Sequence, residues 1–360
     1  MYLAVLGRQA EISIAELESV FGKVHQISKT LASFESDKTP DITMLGGSLK
    51  IAEKIEKIPL EFLSGIEDGK ITFGLSDYSK GANAKSVNLE AMKIKKILSR
   101  HGRSVRVVQN KEATLSCATS LHNGLSGKTE RKCELIKVGR DWYRVIGVQD
   151  IDAYTRRDQA RPARDAKVGM LPPKLAQILI NLCAPLQPGA TVLDPFCGTG
   201  VVLQEALLMG YFAYGTDVNE RMIEYSDKNL KHFHFSNYKL EIGDAKNHRW
   251  SSVDAVACEG YLGAPMSNPP TEVKLKEEKQ ICGEIMIGFL KNLASQIKKD
   301  TPVVVAMPAW LRPDGSYSRL EIVDEISNMG YNVNNKSLGG LLYYREGQIV
   351  ARDIIILRKK

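Results

Sequence analysis

The sequence predicts an α/β chain in two parts. A C-terminal doubly wound sheet closes with an antiparallel hairpin, and an N-terminal α+β module precedes it. Three observations carry this prediction. From residue 190 onward, short apolar runs alternate with helical patterns, the signature of strands covered by helices on both faces. The first three of those runs each end in or beside an acidic residue. A stretch dense in Arg and Pro, DAYTRRDQARPARDAKVGMLPP at 152–173, separates this half from a first half of different pattern. At 360 residues, two domains are expected, with boundaries at 1–150, a linker over 151–172, and 173–360.

In the second half a helix is expected at 172–184 (PPKLAQILINLCA), entered through prolines that suit a first helical turn. Strands are expected at 190–194, 211–217, 238–243, 253–258 and 302–308. Helices fill the gaps at 199–209, 219–231, 276–298 and 318–329. Two strands at 332–344 and 349–358, joined by a tight turn at Arg345-Glu346-Gly347-Gln348, end the pattern. In the first half, strand-like runs at 2–6, 70–74, 104–109, 133–138 and 142–148 alternate with helical stretches at 12–21, 44–57, 88–100 and 112–123.

Composition excludes several classes. With 43% hydrophobic and 25% charged residues the chain reads as an ordinary globular protein. No apolar run reaches the ~18 residues of a membrane span. The start, MYLAVLGRQAEIS, lacks a basic region and a small-residue cleavage site, so no secretory signal is expected. The six cysteines include no C-x-x-C pair, which argues for reduced thiols in a cytoplasmic setting and against a zinc site or disulfide framework. His232 and His234 are expected to be structural, and no metal is predicted. Charge is uneven: residues 1–165 hold 27 Lys and Arg against 21 Asp and Glu, whereas 166–360 hold 22 against 21. The basic first half suits a polyanionic partner. Lys93, Lys95, Lys96, Arg100, Arg103 and Arg106 form its phosphate-contacting candidates, with Arg161 and Arg164 in the linker as further ones.

The strongest chemical signal is Asp194-Pro195-Phe196-Cys197-Gly198-Thr199-Gly200, between a strand and a helix. Glycines there let the backbone approach a ligand, and the helix start offers free N–H groups. No G-x-x-x-x-G-K-[ST] element is present, so a nucleoside triphosphate is not favoured. Asp217, in GTDVN, ends the next strand, where an acid can hold both hydroxyls of a ribose. Asp244, in Gly243-Asp244-Ala245, follows the third, where an acid can accept the amino group of an adenine.

DPFCGTG followed by GTDVN and GDA is similar to the motifs of S-adenosylmethionine-dependent methyltransferases that act on exocyclic amino groups. The run Arg161-Pro162-Ala163-Arg164 through Met170-Leu171-Pro172-Pro173-Lys174-Leu175-Ala176 narrows the likeness. It resembles the segment leading into the catalytic domain of the THUMP-containing tRNA guanine-N2 methyltransferases that modify position ten. Residues 114–125, TLSCATSLHNGL, resemble the end of that family's THUMP domain. The resemblance covers about 110–310 and implies a class I, Rossmann-like methyltransferase sheet with an antiparallel terminal hairpin, plus a THUMP-like RNA-binding module. It implies S-adenosyl-L-methionine as cofactor and tRNA as partner, for a monomer acting with or without an activating subunit. Asp194, Pro195, Phe196, Cys197, Gly198, Thr199 and Gly200 would flank the methionine part, Asp217 and Val218 the ribose side, and Asp244 and Ala245 the adenine.

The sequence departs from the family at the catalytic motif. Amino methyltransferases place (D/N/S)-P-P-(Y/F/W) after the fourth strand; this chain has Glu259-Gly260-Tyr261-Leu262-Gly263-Ala264-Pro265. The acid and aromatic are present, the spacing is one shorter, and both prolines are missing. Downstream, Asn268-Pro269-Pro270-Thr271 spells most of the usual motif but follows no apolar strand. Glu259, as amine acceptor, and Tyr261, as stacking platform, are the expected catalytic residues. Two rival functions remain open at this level: a non-catalytic RNA-binding protein with a degenerate methyltransferase fold, and a DNA amino methyltransferase.

Overall fold

A computed structural model describes residues 1–67, 69–165, 171–334 and 340–360. The chain divides into two compact units, Met1–Ala10 with Phe21–Ala153, and Glu11–Val20 with Tyr154–Lys360.

The elements up to residue 148 run β1 (Tyr2–Leu6), α1 (Ala10–Phe21), β2 (Val24–Ser28), β3 (Leu31–Phe34), β4 (Ser48–Ile55), α2 (Pro59–Ser64), β5 (Ile71–Asp77), α3 (Ala84–Arg100), β6 (Val105–Val107), α4 (Cys117–His122), β7 (Lys132–Val138) and β8 (Asp141–Val148). The strands of the first unit form a sheet in the order β2-β3-β1-β4-β8-β7-β5-β6. One face packs under α2 and α3 through Leu63, Phe73, Ile94, Leu98 and Leu135. The other carries Leu3, Val5, Ile136, Tyr143 and Val145.

Residues 44–57, expected as a helix, contain a strand. In β4 the alternation that marks a half-buried strand is broken by Lys50, a charge on a buried position at 2% exposure. Its ammonium donates to both Glu134 carboxylate oxygens at 2.7 Å and to the Leu115 carbonyl at 2.6 Å. Ser76 and Ser120 donate to the same carboxylate at 2.6 Å. A buried charge is tolerated when paired and hydrogen-bonded like this, but its partner lies 84 residues away.

The second unit continues with α5 (Ile151–Gln159), α6 (Pro173–Asn181), β9 (Thr191–Asp194), α7 (Val201–Leu208), β10 (Phe212–Asp217), α8 (Glu220–His232), β11 (Tyr238–Ile242), β12 (Ala255–Glu259), α9 (Glu272–Ala294), β13 (Pro302–Leu311), β14 (Tyr317–Arg319), α10 (Val323–Asn328), β15 (Tyr331–Val333), β16 (Leu342–Tyr343) and β17 (Val350–Lys359). The sheet order is β11-β10-β9-β12-β13-β17-β15, parallel from β11 to β13 with β17 antiparallel beside β13. The core under α9 includes Val256, Cys258, Phe289, Leu293, Val303, Val305 and Ile355.

Four further expectations change. Residues 151–159, inside the expected linker, form helix α5, whose Tyr154 hydroxyl donates to Gln177. The expected helix at 318–329 shortens to α10, because Tyr317–Arg319 pair with β13. The strand expected at 332–344 falls partly on residues 335–339, outside the described residues; within them β15 and β16 are short. Residues 11–20, placed with the N-terminal module, belong to the second unit: the Asn181 amide donates to Glu16 at 2.7 Å and the Ser19 hydroxyl to the Leu182 carbonyl at 3.3 Å.

Candidate active site at the carboxyl ends of the strands

Open α/β sheets bind ligands beyond the carboxyl ends of their parallel strands, where the strand order reverses. Here that point lies between β9 and β12, with β10 on the far side of β9. From β9 the chain turns through Pro195–Gly200 into α7. Gly200, at φ +82°, occupies the left-handed region, and a Cβ there would stand 2.9 Å from the Ser226 hydroxyl oxygen. Only glycine fits both conditions. The Ser226 hydroxyl donates to the Gly198 carbonyl at 2.8 Å.

The loop is tied to the next strand end through Asp217. Its Oδ2 accepts the Gly198 N–H at 3.0 Å and its Oδ1 the Asn219 N–H at 2.9 Å. Burial raises the Asp217 carboxyl above its ordinary value, with those two N–H groups working the other way. Asp194 is fully buried and accepts the Phe196 N–H at 3.0 Å. Burial pushes its carboxyl well above the usual range, and the carboxylates of Asp217 and Glu259 add to that push. Asp244 accepts the Lys246 N–H at 2.9 Å, with the Lys246 ammonium 3.5 Å away.

A cavity of about 520 Å³ opens over these strand ends. Of the residues expected to hold a cofactor, Pro195, Phe196, Gly198, Asp217, Val218, Asp244 and Ala245 line it. Glu259, Tyr261 and the backbone of Gly260 line the same cavity. Asp194, Cys197 and Thr199 instead line a recess of about 50 Å³ that shares Phe196, Gly198 and Glu259 with it. Gly200 lines neither and serves to close the loop. Cys197 is buried, and burial drives its thiol well above the ordinary range, so it offers no nucleophile.

At the motif, Glu259 ends β12 and Tyr261 stands 43% exposed beside it. Asn268 is exposed and does not line the cavity; Thr271 accepts the Lys274 N–H at 3.3 Å as the cap of α9. The downstream N-P-P run is thus a helix approach. Gly260 explains one missing proline: its N–H donates to the Ala306 carbonyl at 3.0 Å, and a Cβ there would meet the Met286 methyl at 2.5 Å.

The linker arginines separate. Arg161, expected to contact RNA, is 3% exposed; its guanidinium donates to the Thr199 hydroxyl at 3.0 Å and to Asp158 at 3.2 Å. Buried between α5 and the glycine loop, it braces the fold and has no surface to offer a polyanion. Arg103 is half-buried and donates to the carbonyls of Ile66 and Glu67, both at 2.9 Å. Arg106 and Arg164 are exposed. Sequence reasoning missed Arg352, whose Nε donates to Glu259 Oε1 at 2.7 Å. The available signal was a charged pair, Arg352-Asp353, directly before the apolar run 354–357 of the strand.

Comparison with known proteins follows the same lines. A family model described as a methyltransferase domain matches residues 186–314, and one described as a DNA methylase matches 139–228. Over its whole length the chain aligns with the crystal structure of TrmN from Thermus thermophilus at a TM-score of 0.50 and 16% identity, covering 99% of that chain, a likeness of fold. The tRNA (guanine(10)-N2)-dimethyltransferase of Methanothermobacter thermautotrophicus is 28% identical over 56% of this chain, a match spanning 58% of that relative's length. The enzyme of the same name from Pyrococcus abyssi is 27% identical over 68% of this chain and 71% of its own. The Methanothermococcus thermolithotrophicus protein named as a probable tRNA (guanine(10)-N2)-dimethyltransferase is 30% identical over 37% of this chain and 78% of its own. A methyltransferase sheet, a cavity lined by the acids of its strand ends, and these relatives together place the chain in the tRNA (guanine(10)-N2)-dimethyltransferase family.

Proposed function

We propose that the chain is an S-adenosylmethionine-dependent methyltransferase acting on the exocyclic N2 of a guanine in tRNA. The observation that carries this reading is the shared cavity, in which the residues suited to the cofactor and the Glu259–Tyr261 pair face the same space. The residues fit the cofactor. A cavity of about 520 Å³ lies in the range of small-molecule sites. Gly198 puts bare backbone against the loop side, Asp217 offers lone pairs for the ribose, and Val218, 71% exposed, gives an apolar surface beside Asp244 for the adenine.

Bound there, S-adenosylmethionine supplies an electrophilic methyl carbon on a sulfonium sulfur. That group would be transferred to guanine N2, leaving the sulfur as a neutral thioether, and Glu259, which lines the cavity, would take the proton that N2 gives up. Glu259 accepts an N–H of the amino group and turns its lone pair toward the methyl carbon. Tyr261, at the cavity rim, presents the ring on which an unstacked base rests.

For the N-terminal unit the proposed role is a THUMP-like grip on tRNA, through the lysines of α3 and Arg106. The DNA methylase match ends at residue 228, before Glu259, and so speaks to the cofactor half alone. Methyl transfer assayed on transcribed tRNA and on duplex DNA tests the proposal. Incorporation into tRNA guanine is expected; incorporation into DNA alone, or into neither with cofactor binding intact, overturns it. Glu259→Ala should lower the single-turnover rate about 100-fold, the lower range for a lost acid–base group, while Asn268→Ala should leave it unchanged.

A further inference from the structure

We infer that Arg352, on the antiparallel strand β17, is a positioning residue for the transfer step: its guanidinium fixes the Glu259 carboxylate against the cavity. The inference rests on the reading of the chain as an amino methyltransferase. In the usual motif two prolines stiffen the chain around the acidic or amide side chain. Here that stiffening is absent, and the residues after Glu259 are Gly260, Tyr261, Leu262 and Gly263 with no helix or strand. A glutamate also has one more rotatable bond than an aspartate, so its carboxylate needs an external restraint to hold one orientation.

Sheet geometry supplies it. Glu259 is in register with Ala306 on β13, and Ala306 with Ile354 on β17. Arg352 lies two residues from Ile354, and side chains two apart share a face of the sheet. Glu259, Ala306 and Arg352 therefore stand on one face, the diagonal arrangement within reach of a long side chain. Ala306, fully buried, leaves the space between them open. The Arg352 Nε–H closes on Glu259 Oε1 at 2.7 Å, with the two side chains only 9% and 15% exposed. Charge-assisted bonds this short and this buried are directional. No hydrogen bond among the described residues engages Oε2, so one oxygen is anchored and the other remains for the substrate amine. Asp353, the neighbouring charge, points to the opposite face toward Arg319 Nη1 at 3.7 Å and does not compete for Arg352.

Arg352→Ala, Arg352→Lys, Glu259→Ala and the double variant Arg352→Ala/Glu259→Ala test this in the full chain, with transcribed tRNA and S-adenosylmethionine both saturating. Arg352→Ala should lower the single-turnover rate about 100-fold, the effect of a misplaced reacting group. Cofactor affinity by calorimetry and the KM for tRNA should hardly change, and added guanidinium ion should restore part of the rate. The double variant should be no slower than Glu259→Ala, because Arg352 acts through Glu259. Arg352→Lys keeps the buried charge without the guanidinium fork and should lose about 10-fold; it carries the comparison if the alanine variant fails to bind cofactor. A wild-type rate in Arg352→Ala or Arg352→Lys overturns the inference, as do losses that multiply in the double variant. An inactive wild type overturns the functional reading and this inference with it.

Discussion

Asp217 performs two tasks with one carboxylate, and they can be separated by substitution. Each of its oxygens already receives a backbone N–H, from Gly198 and from Asn219, while the side chain lines the cavity. Asp217→Ala removes the proposed ribose contacts and releases the glycine loop. S-adenosylmethionine affinity should fall at least about 10-fold, since a charge-assisted hydrogen bond is worth about 1.5–3 kcal/mol. Asp217→Asn keeps one acceptor oxygen and should fall less, and calorimetry on the two variants checks the order. At the rim, Tyr261→Phe should keep most of the transfer rate if the ring only stacks, and Tyr261→Ala should lose it, read as single-turnover rates. Asp217 stands at a strand end and Tyr261 two residues beyond one, places that hydrophobic patterning marks in the sequence. The pairing of Arg352 was harder to read, since the charged pair Arg352-Asp353 marks the position but the partner is 93 residues away.

Strand β17 carries a second buried charge with a measurable cost. Asp353 Oδ1 is buried with no hydrogen-bond partner among the described residues, and burial raises its carboxyl to about 6 despite Arg319. A carboxyl whose folded value is raised binds its proton more tightly folded than unfolded. Its stabilising contribution is therefore present at low pH and is lost as pH rises from the unfolded value near 4 to about 6. The loss is on the order of 3 kcal/mol and is complete above that window. Asp353→Asn should remove this dependence, so its stability advantage over wild type should grow between pH 4 and pH 6 in urea unfolding and then stay level. An advantage independent of pH would contradict the assignment. Elements whose pattern is local, such as β9, β10 and α8, were legible within a residue or two. Strand β4 was not, because Lys50 sits where a strand in that sheet needs an apolar side chain, and only Glu134 makes the charge tolerable.

Charge is unevenly distributed along the chain. The excess of basic residues lies before residue 166, so phosphate contacts should come mainly from that half and release counterions on binding. The affinity of the full chain for tRNA should fall steeply between 50 and 200 mM salt, by roughly 10³-fold if about six phosphates are contacted. Substituting Lys93, Lys95 and Lys96 by Ala should flatten that salt slope, measured by filter binding, while cofactor affinity stays unchanged. An unchanged slope would move the RNA contacts elsewhere. The Arg- and Pro-rich break suggested a division of the chain, and the two compact units part beside it, at Ala153 and Tyr154. The membership of residues 11–20 was not legible, because the contacts that decide it are made with Asn181 and Leu182. That connection has a consequence for the chain as it is synthesised. Glu16 emerges 165 residues before the Asn181 amide that it receives. At translation rates of about 5–20 residues per second, helix α1 leaves the ribosome roughly 8–33 s ahead of its docking surface. For that interval Glu16, fully buried in the finished protein, stands without the Asn181 amide that it later receives.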